Sequence, residues 1–158
     1  MTTLAWLPRL SLDNGWSHRS YALFRVVFAG YLVVHFAQLL PYAAELFSSS
    51  GALPAAASPL LRAFPNVFLL RDDAAFVEGV VLVALVASVV LGVGRFDRVA
   101  AVVVWFAWAC LFGRNPLISN PGLPYVGLLL MVHALRPPAT SSSPAPAIPH
   151  RCMRSCGS

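Results

Sequence analysis

YALFRVVFAGYLVVHFAQLL, residues 21–40, carries one formal charge, Arg25, in twenty residues, and its reading decides the fold. At ~1.5 Å of rise per residue such a helix covers about 30 Å, the hydrocarbon thickness of a bilayer. Pro41 follows and is expected to end or kink it. AAFVEGVVLVALVASVVLGV, Ala74–Val93, has the same length and holds only Glu78. Two shorter apolar runs come later, Val99–Gly113 and a stretch from about Leu123 to Leu135. The first of these spans fully only if Phe96 and Arg98 snorkel at its edge. The expected fold is therefore all-α, an integral membrane four-helix bundle.

Composition points the same way. Of 158 residues 58% are hydrophobic and 11% charged, with a mean hydropathy of +0.73. Soluble domains carry roughly a quarter charged residues, so this chain could not cover a water-facing surface. The net charge of +5 does not mark a nucleic-acid binder, because the arginines stand singly between apolar runs without a stacking platform. All basic residues are arginine; there is no lysine. Cys110 lies in an apolar run and reads as a packed thiol. Cys152 and Cys156 lie in the tail, where their spacing is a weak metal or palmitoylation signal, and no metal site is expected. No cleavable leader is expected, since the first apolar run starts late and bears an arginine near its beginning.

The chain divides into an interfacial segment at 1–20, a transmembrane domain at 21–136 and a Pro/Ser/Ala-rich tail at 137–158, expected to be disordered. Between the first two spans lies PYAAELFSSSGALPAAASPLLRAFPNVFLLRDD, residues 41–73, too interrupted to span and too apolar to float free. Short helices at the interface, or folded over the bundle, are expected there. The turn GRFDR, Gly94–Arg98, shares its side with both ends of the chain. Arg9, Arg19, Arg25, Arg95, Arg98, Arg136, Arg151 and Arg154 fall on that side, against Arg62, Arg71 and Arg114 on the other. This bias puts both termini in the cytoplasm of a bacterial-type inner membrane.

A charge at the bilayer centre costs roughly 2.5–3.5 kcal/mol, so each polar residue in a span needs a reason. Arg25 either snorkels to headgroups or pairs inside the bundle. His35, Gln38, Tyr42 and Glu45 follow at helical intervals, as an emerging helix end or as a polar wall of a cavity. Glu78 shares their end with Arg114, and an Arg114–Glu78 pair would ease the entry of both. Trp105 and Trp108 share a face and suit packing; His133 reads as interfacial.

In CLFGRNPLISNPGLPYVGLLLMVHAL, residues 110–135, Pro116 and Pro121 disfavour helix at Asn115 and Asn120. The chain must leave helix there. Non-helical backbone at membrane depth is tolerated only against protein or a wet cavity. The stretch is thus either a capped connection or a mouth, with Arg114, Asn115 and Asn120 holding an anionic or quinone-like headgroup.

ALFRVVFAGYLVV, LFSSSGALP, VLGVGRFDR and GRNPLISNPGLPYVGLLL together resemble the membrane region of the HTTM-domain family, relatives of vitamin K-dependent gamma-carboxylase, over roughly residues 20–136. A DoxX-like four-helix protein shows similar order. The resemblance implies a helical membrane domain with a polar loop before its last span. In the carboxylases a lysine near the start of that loop is the base. The nearest basic residue here is Arg114, which stays protonated, so carboxylase activity is not expected.

The function expected from these features is a small non-catalytic membrane protein that binds a lipid, a quinone or a membrane partner, a second copy included. The pocket would involve Arg114, Asn115, Asn120, Arg25 and Gln38. The alternative is a quinone-linked redox enzyme or subunit in which His35 and Glu78 handle protons. Quinone or lipid is the only cofactor class suggested.

Overall fold

The computed structural model describes residues 18–135 apart from 55, 56, 59, 62, 63 and 119. Residues 1–17 of the segment 1–20 expected at the interface, the expected tail at 137–158 and Arg62 lie outside the described residues, Cys152 and Cys156 with the tail. Five helices and no strand are found among those described: α1 (His18–Leu39), α2 (Ala43–Phe47), α3 (Ala74–Val93), α4 (Asp97–Arg114) and α5 (Leu123–Leu135). Four of them form the bundle, and α2 is a short cap. The packing is sequential: α1 lies on α3, α3 on α4 and α4 on α5, with α2 also against α3.

Pro41 kinks the first helix and does not end it. It sits at the start of a 3-10 turn, Leu40–Tyr42, after which the chain resumes as α2. A ring without an N–H is tolerated there because the first N–H groups of a turn have no internal partner. Phe28, Leu32 and Phe36 recur every fourth residue of α1 and are buried, the spacing that stacks side chains on one helical face. They meet Val77, Val81, Ala84 and Leu91 of α3 and Val104, Trp108 and Leu111 of α4 in one core. At Gly92 an added Cβ would lie 3.2 Å from Cβ of Ala29, so α1 and α3 approach closely through small residues. Ser88, buried in α3, turns its Oγ back to the Ala84 carbonyl at 2.7 Å.

The third helix is longer than its apolar run suggested. α4 begins at Asp97 and ends at Arg114, so Asp97 and Arg98 belong to the helix and the tight turn shrinks to Gly94–Phe96. Gly94 ends α3 at φ 82° while its N–H reaches the Val90 carbonyl, a left-handed cap that glycine adopts without steric cost. Asn115 leaves the helical region at φ −132° and ψ 89°, as expected before Pro116, and Pro116–Ile118 forms a 3-10 turn before α5.

The exposed faces are as apolar as the core. Leu23, Val27, Val93, Val99 and Val132 are each more than half exposed. Ser20–Phe47 and Ala74–Val93 are long and apolar enough to cross a membrane; α5, with thirteen residues, is shorter.

Candidate functional site

Polar groups gather at the two ends of the bundle. At the end holding the C-terminus of α4, Arg114 is fully buried. Its Nη1 donates to the Leu53 carbonyl at 2.9 Å and its Nη2 to the Ser48 carbonyl at 3.1 Å. The adjacent Asn115 donates from Nδ2 to the Leu46 carbonyl at 2.8 Å and accepts at Oδ1 from the Leu117 N–H. The segment returns these bonds to the helix. Asn66 Nδ2 donates to the Cys110 carbonyl at 2.8 Å, and Ser58 Oγ to the Gly113 carbonyl at 3.1 Å.

Gly113 is among the last four carbonyls of α4, which lack a donor inside the helix, and Cys110 precedes those four directly. The capping is thus reciprocal: the end of α4 satisfies the Leu46, Ser48 and Leu53 carbonyls, and the Ser58 and Asn66 side chains bond the end of α4. The broken segment is latched to the bundle. Asn66 accepts at Oδ1 from the Phe68 N–H as well, so Asn66→Ala removes two buried hydrogen bonds to main chain. A loss of about 2–4 kcal/mol is expected, the Phe68 N–H being left without its acceptor, read as a lowered unfolding midpoint in detergent.

The Arg114–Glu78 pair is not formed. Arg114 spends its guanidinium on carbonyls and has Asp72 within Coulombic reach, while Glu78 is exposed on α3. The physical reason is valence: a planar guanidinium matches several carbonyls at once, and the segment offers them at the helix end. Nearby, on the surface, Arg71 bonds Asp73 at the start of α3 and holds its carboxyl below the ordinary range.

At the opposite end α1, α4 and α5 meet through a second cluster. Arg25 Nη1 lies 3.9 Å from Oδ2 of Asp97, and His133 Nε2 lies 3.6 Å from the same oxygen. The Tyr21 hydroxyl is 2.9 Å from His133 Nδ1. Arg25 therefore pairs inside the bundle, and His133 is buried there in α5. The guanidinium also rests on Gly94, where a methyl group would collide with it. A cation is favoured at that place by the C-terminal dipole of α3. Gly94→Ala should cost about 1–2 kcal/mol through the left-handed backbone alone, and more once Arg25 is displaced; thermal unfolding of the variant checks this.

Between the two clusters lies a groove of about 390 Å³, bounded by Leu60 and Phe64 of the latched segment, by Trp105, Trp108 and Phe112 of α4, and by Leu123 to Gly127 of α5. Trp108 donates from Nε1 to the Leu123 carbonyl at 3.2 Å, which ties the wall to the first turn of α5. Phe64 stands edge-on to Trp105. His35 of α1 packs against Trp108 and Phe112, with ring centroids 4.9 and 6.4 Å away, and against Tyr31 and Phe36. Its Nε2 is buried and has no hydrogen-bond partner among the described residues. Asn120 stands at the rim, exposed, its Oδ1 accepting from the Gly122 N–H at 2.8 Å.

The candidates singled out in the sequence therefore separate. Arg114 and Asn115 act together, with their polar groups turned inward to the chain. Asn120 borders the groove, and His35 touches two of its wall residues. Gln38 is exposed on α1, Arg25 sits at the far end, and Glu78 bonds neither His35 nor Arg114 in the described set. Asn66, Asp97 and Tyr21 were missed. Asp97 alone carried a signal, as the only acid in the GRFDR turn. Among the described residues no group of three His, Cys, Asp or Glu could hold a metal ion. Compared with family models, with curated proteins and with solved structures, the chain matches none.

Proposed function

We propose that the chain is an integral membrane protein of the HTTM/DoxX-like kind that holds a lipid-soluble ligand with a planar head, a quinone or similar ring, without transforming it. The observation that carries this reading is the aromatic-walled groove between the latched segment, α4 and α5. Its volume falls in the range of small-molecule sites, which are mostly apolar with few polar groups. Phe64, Trp105, Trp108 and Phe112 offer faces and edges to a ring, and Asn120 offers an amide at the mouth.

The bilayer as solvent is supported by the two long apolar helices and by valine and leucine on the exposed faces. In that setting α4 and α5 complete a four-helix span, with residues 40–73 lying across one end. Arg95 and Arg98 mark the other end as cytoplasmic, together with both termini. A membrane protein partner or a second copy is compatible with the exposed faces, but no described feature is built for one.

One observation favours the redox alternative: the unpartnered Nε2 of His35 beside the groove wall. A proton-handling role would need a second titratable group in reach, and exposed Glu78 makes no bond to it. The ligand-holding reading is tested with Trp6→Phe and Trp16→Phe introduced together, leaving Trp105 and Trp108 as reporters. In bilayer nanodiscs, decylubiquinone should quench their fluorescence saturably. Gly127→Leu places a side chain in the groove, where a Cβ meets only Trp108 at 3.9 Å. It should weaken binding about tenfold or more, the scale of ~1.4 kcal/mol of lost fit, at an unchanged unfolding temperature. Quenching that is linear in quinone and equal in both proteins would sink the proposal.

A further inference from the structure

Among the described residues lining the groove between the latched segment, α4 and α5, Trp105, Trp108 and Asn120 carry a polar side-chain atom. The Trp108 N–H is committed, since Nε1 donates to the Leu123 carbonyl. Asn120 is half committed. Its Oδ1 accepts from the Gly122 N–H at 2.8 Å, a turn in which the side-chain carbonyl mimics main chain. That bond fixes which way the amide faces, because an N–H is accepted by the amide oxygen and not by its NH2. An added Cβ at Gly122 would lie 3.0 Å from this oxygen, so Oδ1 is turned to the chain. Nδ2 keeps both of its protons and bonds no described residue, and Asn120 is exposed at the rim. Trp105 has Phe64 edge-on to its ring, and its N–H bonds no described residue either. What the lining side chains have left is therefore N–H, and no carboxylate, hydroxyl or imidazole lines the groove beside them.

We infer that Asn120 makes the groove selective for the oxidised form of a quinone-type ring, its Nδ2 donating to a ring carbonyl. The inference rests on the ligand-holding reading above and names the form of the ligand. A quinone oxygen only accepts, so an N–H at the mouth satisfies it. A quinol carries a proton on each of those oxygens. Its hydroxyl oxygen can take the Asn120 bond, but its O–H groups then need acceptors that the lining side chains do not supply. A donor moved against an apolar wall without an acceptor loses its former partner outright, which lowers affinity about tenfold or more.

The test uses the full chain with Trp6→Phe and Trp16→Phe in anaerobic nanodiscs, with decylubiquinone and decylubiquinol as probes. Bound quinone quenches Trp105 and Trp108, and displacement by the quinol restores their fluorescence. About a tenfold excess of quinol or more should be needed for half recovery. A redox titration should place the bound couple about 30 mV or more below the free one, the shift that a tenfold preference gives a two-electron couple. Asn120→Asp keeps an oxygen for the Gly122 N–H and replaces the donor by an acceptor. It should weaken quinone binding about tenfold and level or reverse the preference, at an unchanged unfolding temperature. Asn120→Ala, which removes the donor without adding a charge, should level it too. Equal binding of both forms to the parent chain overturns the inference, whatever the variants do. A preference that survives in either variant overturns it as well. Those results leave the groove a ligand site, whereas no saturable quenching by the quinone refutes the ligand-holding reading itself.

Discussion

Arg114→Ala is expected to unfold the chain at a markedly lower temperature, with a loss of about 3–5 kcal/mol. Two charge-assisted bonds, to the Leu53 and Ser48 carbonyls, disappear together, and each is worth roughly 1.5–3 kcal/mol. The Leu53 carbonyl loses this donor, and the Ser48 carbonyl keeps only the Gly51 N–H. Arg114→Lys should recover only part of the loss, because an ammonium on a flexible stem does not reproduce the fork that spans both acceptors. Thermal unfolding in detergent ranks the three proteins. If Arg114 were instead a binding group at a mouth, alanine would leave the unfolding temperature in place and lower ligand affinity alone.

Gly51→Ala should be nearly as damaging, for a reason of space. A Cβ at Gly51 would collide with the main-chain carbonyl of Glu45, and that carbonyl is already the acceptor of the Ala52 N–H at 2.8 Å. Backbone cannot step aside as a flexible side chain does, so the turn must open. The Gly51 N–H is bonded to the Ser48 carbonyl, the same oxygen that Arg114 Nη2 uses. The turn and the latch are therefore one unit, and a loss of about 2–4 kcal/mol is expected for a backbone clash of this kind. Combined with Arg114→Ala the two losses should fall short of their sum, since groups sharing a partner couple by 0.5–3 kcal/mol or so. Strict additivity in a double-mutant cycle would show that the turn and the arginine act separately.

The long apolar helices were legible because length and apolarity are local properties. Ala74–Val93 is read from the sequence with the bounds it has in the structure, and Leu123–Leu135 likewise. The residues that bond across the chain were harder to place. Nothing near Asn66 says that its amide will cap α4 forty-four residues later, and nothing near His133 says that Tyr21 and Asp97 will meet it. Arg114 was visible as a charge needing a partner, but the sequence suggested the acid Glu78. Carbonyls carry no letter of their own, so a guanidinium satisfied by main chain looks unpaired until the fold is known. A pocket was expected between the first helix, the 41–73 segment and Arg114–Asn120, and the groove shares Leu60, Phe64 and Asn120 with it. The groove's walls on α4 and α5 escaped notice for a related reason. Its walls come from three separated stretches, and Trp105 with Trp108 look like ordinary packing in any one of them.

The most direct test of the central claim, a ligand groove under the latched segment, is photolabelling. The protein in bilayer nanodiscs would be irradiated with a photoreactive quinone and its peptides mapped. The structure predicts label concentrated on Leu60–Phe64, Trp105–Phe112 and Leu123–Gly127, displaced by excess decylubiquinone and absent from Gly127→Leu. Label spread evenly over the exposed valines and leucines of α1, α3 and α5, undisplaced by competitor, would contradict it and leave the groove a seam between packed helices.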